Sequence, residues 1–86
     1  MEQNYNYFIA SLIRIMDRPT DLTPATLKFY YKIEHQLFQT LLTNRINFED
    51  FIQMTKLRTD LLNKMESKWN EVTNQPVSNL IFSTKL

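Results

Sequence analysis

The sequence predicts an all-α fold: an antiparallel three-helix bundle over residues 1–75, followed by a short C-terminal appendage, residues 76–86, long enough for a fourth short helix. Three observations carry this. There is no glycine among the 86 residues, and β-hairpins usually draw on glycine at positive φ. The three prolines, Pro19, Pro24 and Pro76, stand where periodic segments begin or end. Between them, apolar residues recur at spacings of three and four, the period of one helical face. A chain of this length forms one domain. With no cysteine, its stability must come from apolar packing or from a partner, because no disulfide can contribute.

The first helix is expected from about Gln3 to Asp17, with Tyr5, Phe8, Ile9, Leu12, Ile13 and Met16 on one stripe. Pro19 disfavours a helical conformation in Arg18 and so ends it. Pro19 to Thr23 is then a connection. Thr23 is a good N-cap with Pro24 at the first helical position, and Leu22 can staple onto Leu27. The second helix should run from Pro24 to about Thr43, with Tyr30, Ile33, Leu37, Phe38, Leu41 and Leu42 inward. Asn44 is expected as a left-handed C-terminal cap in place of the missing glycine.

The third helix has the best-marked start. Asn47 can cap the backbone of Asp50, Asp50 can reach back, and Ile46 can staple onto Phe51. Behind that start Phe51, Met54, Leu57, Leu61, Met65, Trp69 and Val72 share one face. The helix should fray at residues 73–75, ahead of Pro76. Short connections between three helices make them antiparallel neighbours. The tail Val77 to Leu86 has helical spacing at Val77, Leu80 and Ile81, but ten residues do not hold a helix alone. It must dock as a fourth helix, insert into a partner, or remain a loose end.

Chemistry is thinly represented. The one histidine, His35, has Glu34 as its sequence neighbour, about 100° away round the helix, and no converging partner for general-base or metal work. Glu49 and Asp50 lie in a first helical turn, where negative charge meets the helix dipole. No phosphate loop, nucleophile elbow or zinc spacing occurs, so catalytic residues, cofactors and metal ligands are expected to be absent and the protein non-enzymatic. The net charge of +1 weighs against nucleic acid as the main partner and leaves a small DNA-binding regulator as a lesser alternative. No basic-then-apolar signal segment opens the sequence, and no apolar run approaches the ~20 residues that span a bilayer. A cytoplasmic protein without a transmembrane segment is expected. Lys56, Asp60 and Lys64, four apart, read as ion pairs on a solvated face.

The aromatic content is the informative surplus: six Phe, four Tyr and one Trp. Tyr5, Tyr7, Phe29, Tyr31 and Phe48 lie toward the edges of the inward stripes, and a small bundle does not easily bury them all. Tyrosine suits interfaces because it offers apolar area and a hydroxyl at little entropic cost. The expected partner is therefore another protein. Tyr5, Tyr7, Phe29, Tyr30 and Tyr31 would anchor it, and Lys28, Lys32, Arg45 and Arg58 would orient an acidic surface from the rim. Use of the same surface in a homodimer is the competing expectation, and a regulator or inhibitor of phage or mobile-element type is the expected role.

The segment Thr43, Asn44, Arg45, Ile46, Asn47, Phe48, Glu49, Asp50, Phe51 resembles the connection between the last two long helices of pediocin-type bacteriocin immunity proteins. The resemblance covers about a tenth of the chain and consists of helix-start residues. It implies a cytosolic antiparallel helical bundle that protects a membrane receptor from a bacteriocin. The chain departs from that family in its shortness and in lacking one long helix, and the family supplies the alternative function.

Overall fold

The computed structural model describes residues 2–18 and 22–82, with the backbone alone at 2, 3 and 82. Four helices follow in order: α1 (Glu2–Asp17), α2 (Pro24–Thr43), α3 (Phe48–Thr73) and α4 (Ser78–Phe82). No strand occurs among the described residues.

The helix starts follow the local chemistry. Thr23 accepts from the Thr26 N–H at 3.1 Å, and Pro24 occupies the first turn of α2. Asn47 accepts from the Asp50 N–H at 2.8 Å, while its side-chain amide donates to the Asp50 carboxylate at 2.9 Å. Asp50 thus reaches back to the cap, through its partner's side chain. α1 ends at Asp17, with Arg18 closing a last turn onto the Ile15 carbonyl. Most of the Pro19 to Thr23 connection, and the last four residues of the tail, lie outside the described residues.

The C-terminal caps correct the expectation. Asn44 is extended, at φ −89°, ψ 147°, and the left-handed residue is Asn74, at φ 58°, ψ 30°. The difference follows from what comes next. Only Arg45 and Ile46 separate Asn44 from the extended cap Asn47, so the chain leaves α2 straight. After α3 it must turn back at once to lay α4 on the bundle, and an αL asparagine followed shortly by proline makes that reversal.

Contacts at three levels give the helix directions. Tyr5, Glu34 and Arg58 meet at one level, Asp17 meets Lys64, and Lys28 sits over Trp69. Hence α1 and α3 run parallel, α2 runs antiparallel to both, and the packing is most extensive between α1 and α3. α3, at 26 residues, is about 39 Å long and spans the 38 Å long axis of the bundle.

The core takes Tyr5, Ile9, Leu12 and Met16 from α1, Leu27, Tyr31, Phe38 and Leu41 from α2, Met54, Leu61, Met65 and Trp69 from α3, and Leu80 from α4. On α1 and α3 the buried face falls on the expected stripes. On α2 it does not. The buried line is Leu27, Tyr31, Glu34, Phe38, Leu41; Tyr30, Ile33 and Leu37 are half-buried beside it, and Leu42 is exposed. A carboxylate at the centre of the line hides it from a search for apolar periodicity, and the search then settles one residue away.

α4 docks through specific contacts. The Trp69 indole donates to the Pro76 carbonyl at 2.9 Å, just ahead of α4, and Leu80 is buried. Five residues make no stable helix alone, so packing holds this one in place. Over its described residues, the tail takes the fourth-helix form.

Candidate functional site

Two features stand apart from an ordinary core: a polar cluster inside the bundle and an apolar surface at one end of it. The cluster is centred on Glu34, which is 0% exposed. Its Oε2 accepts from the Tyr5 hydroxyl at 2.9 Å and from Arg58 Nε at 2.6 Å. Arg58 lies over the Phe38 ring, its guanidinium carbon 4.3 Å from the ring centroid, and approaches His35 Nδ1 at 3.5 Å. His35 in turn stacks on Tyr31 at 5.9 Å. Each of the three long helices contributes, so the cluster locks α1, α2 and α3 in one register.

The electrostatics follow from burial. The Tyr5 phenol is pushed well above the usual tyrosine range, first by desolvation and then by the Glu34 carboxylate beside it. Tyr31 is raised by burial, with Arg58 opposing. For Arg58, burial works against the charge, and the hydrogen bond and attraction from Glu34 more than offset it. Glu34 Oε1 is buried and has no hydrogen-bond partner among the described residues. A fully buried carboxylate that already accepts from two donors holds the helices together; none of the three surface clefts described here is lined by Tyr5, Glu34, His35 or Arg58.

These placements correct part of the expected interface. Tyr5 and Tyr31 are buried, because Glu34 draws the Tyr5 hydroxyl inward and α4 covers Tyr31, so neither is an exposed anchor. Arg58 is an internal ion-pair partner with 19% of its side chain exposed, and it is not a free rim charge. Tyr7 and Phe29 are exposed, at 68% and 58%. Tyr30 is half-buried with its ring against Phe29. Lys28, Lys32 and Arg45 are exposed, with Lys28 engaged over the Trp69 ring at 5.8 Å. Lys64 pairs with Asp17 across helices at 2.9 Å, and no Lys56–Asp60 or Asp60–Lys64 bridge forms.

The exposed apolar side chains gather elsewhere than expected. Phe48 is 74% exposed, and Leu42, Phe51 and Ile52 are 37–40% exposed. All four lie within eleven residues around the α2–α3 turn, with half-buried Ile46 between them. Phe48, Phe51 and Ile52 stand at i, i+3 and i+4 on the first two turns of α3, which makes them neighbours on one face. Phe48 and Ile52 are turned away from the line of Met54, Leu61, Met65 and Trp69, and Phe51 stands at its edge, three residues before Met54. Sequence reading missed Leu42 and Phe51 by assigning them inward. Phe48 alone was placed at an edge.

A cleft of about 120 Å³ lies where α4 meets α2 and α3, lined chiefly by Tyr31, Leu62, Met65, Val77, Leu80 and Ile81. Two shallower polar depressions flank α1. Among the described residues, no group of three or more His, Asp or Glu side chains is placed to hold a metal ion, and no helix is long and apolar enough to cross a membrane. No family model, curated protein or solved structure matches this chain.

Proposed function

We propose that this chain is a small non-enzymatic helical module that binds another protein and regulates or inhibits it in the cytoplasm. The observation that carries the reading is the concentration of Leu42, Phe48, Phe51 and Ile52 on the surface at one end of the bundle. Leaving four large apolar side chains exposed in one place has a cost in solubility, and such patches mark interaction sites more often than chance. Aromatic anchors surrounded by polar residues are also the anatomy of interface hot spots. Exposed Arg45 in the turn, and Lys28 and Lys32 on α2, favour a partner surface with net negative charge. Tyr7 and Phe29 lie on other parts of the surface and serve as controls. The absence of cysteine fits a reducing compartment.

The test is retention of a specific protein from lysate by the wild-type chain, Phe48→Ser and Phe29→Ser side by side. The proposal expects the retained protein to be lost with Phe48→Ser and kept with Phe29→Ser. A chain that retains no specific protein, and binds duplex DNA with an affinity falling steeply as salt rises, would replace this reading with a nucleic-acid one.

A further inference from the structure

The turn-end surface is continuous with the place where α4 docks. α1 packs most extensively on α3, α2 packs on both, and α4 packs on α2 beside the cleft lined by Tyr31, Leu62 and Met65. From Leu62 and Glu66, steps of three and four toward the N-terminus of α3 pass through Thr59, Thr55, Ile52, Phe51 and Phe48, all on the α4 side. From Tyr31, the matching steps along α2 pass through His35 and Phe38 to Leu42. α4 has five residues, about 7.5 Å of helix, against about 39 Å for α3. Among the described residues, most of this long seam has no helix over it, and its far end is the exposed apolar cluster.

The occupant follows from shape and charge. A seam between two antiparallel helices accepts a third helix by ridges-into-grooves packing, and this chain already lays a helix along one end of it. Thr55 and Thr59 keep the middle of the seam low, which lets a helix backbone approach. The α2 lip carries exposed Lys28 and Lys32, and Arg45 stands at the turn; Lys32 and Arg45 form no ion pair among the described residues. The α3 lip carries Thr and Asn, with exposed Glu49 and Lys56 of opposite sign near the turn and Glu66 near α4. A second copy docking by a twofold axis that crosses the seam would set this basic lip against its own copy, and like charges across an interface are costly.

Resting on the proposed function, we infer that the uncovered part of the α2–α3 seam docks an amphipathic helix of another protein. The apolar face of that helix lies on Leu42, Phe48, Phe51 and Ile52, and its acidic flank lies along Lys32 and Arg45. The mode is helix-in-groove recognition read by anchors at helical spacing.

The experiment pans a phage-displayed library of helix-biased peptides against the full chain, then measures the enriched peptides by titration and by backbone amide shifts. The inference expects amphipathic sequences with Asp or Glu along one flank. Their affinity should fall at least about tenfold in Phe48→Ser and severalfold in Lys32→Glu, with shift changes centred on residues 42 and 48–52. Both substitutions are at exposed positions, and unchanged helical circular dichroism shows that the fold is kept. Enrichment of peptides without an acidic flank, or binding indifferent to both substitutions, overturns it. Shift changes centred on Tyr7 or Phe29 overturn the seam while leaving the interaction module standing. Concentration-dependent dimerisation that Phe48→Ser abolishes makes a second copy the occupant and overturns the inference. No enrichment from a monomeric chain overturns both readings.

Discussion

The two ends of the α2–α3 pair carry similar side chains and treat them differently. At the α4 end, Tyr31, Met65, Trp69 and Leu80 are buried; at the turn end, Leu42, Phe48, Phe51 and Ile52 face outward. Both ends contain large apolar residues at helical spacing, so composition does not separate them. The difference is the short helix. After Asn74 the chain reverses, the Trp69 indole donates to the Pro76 carbonyl, and among the described residues α4 closes one end only. The same kind of surface is core where the chain returns to cover it, and an available face where it does not.

The comparison predicts very unequal costs of truncation. Trp69→Ala removes the largest fully buried side chain together with its hydrogen bond, and should cost about 3–5 kcal/mol, shown by a lowered urea midpoint. In a domain of this size that is most of the stability. Leu80→Ala should cost about 2–3 kcal/mol and shift Trp69 fluorescence to the red as α4 loosens. A Leu80 variant with unshifted emission would mean that α4 does not shield Trp69, and the contrast between the ends would fail.

Between the two ends, the Tyr5–Glu34–Arg58 cluster sets the register. Glu34→Ala strands the Arg58 guanidinium and the Tyr5 hydroxyl, and should cost about 3–5 kcal/mol; a Tyr5→Phe, Glu34→Leu, Arg58→Met triple variant should recover most of it, because an apolar trio has no charge to desolvate and no donor left unpaired. Thermal melts of the three chains decide this. The cluster also has a pH signature. Below about pH 10 both folded and unfolded states keep the Tyr5 proton. Above it the unfolded chain releases the proton while the buried phenol, with its raised pKa, holds it. Stability therefore falls as pH rises, by at most about 1.4 kcal/mol per pH unit for one such group. Tyr5→Phe should flatten that alkaline limb relative to wild type.

The helix ends sharpen the comparison at smaller scale. Asn74, at φ 58°, should gain up to about 1 kcal/mol on replacement by glycine and lose a similar amount as alanine. Asn44, extended at φ −89°, should show no gain as glycine. Melting temperatures of the three variants test both positions at once.

How much was legible in the sequence follows the range of the interactions. The starts at Thr23 and Asn47 are set by residues three apart, and they could be read directly. The bundle and its three long helices followed from periodicity, because each stripe on α1 and α3 is apolar throughout. The α2 stripe was misplaced because Glu34 sits at its centre and its partner Arg58 is 24 residues away. Arg58 was visible as a charge at helical spacing from Met54 and Leu61, and Glu34 as a charge flanked by Leu27, Tyr31, Phe38 and Leu41. Pairing those two anomalies would have revealed the cluster and moved Tyr5 and Tyr31 inward. The exposed end was illegible for a different reason: which apolar residues stay uncovered depends on where α4 lands, and that is set by the reversal at Asn74.

The central claim is that the turn-end aromatics are kept for a partner and contribute little to folding. Urea denaturation of Phe48→Ser tests it most directly. The account predicts a midpoint within about 0.5 kcal/mol of wild type, as for an exposed surface position. A loss of 2 kcal/mol or more, about the cost of truncating a core residue, would contradict it and make that end part of the core.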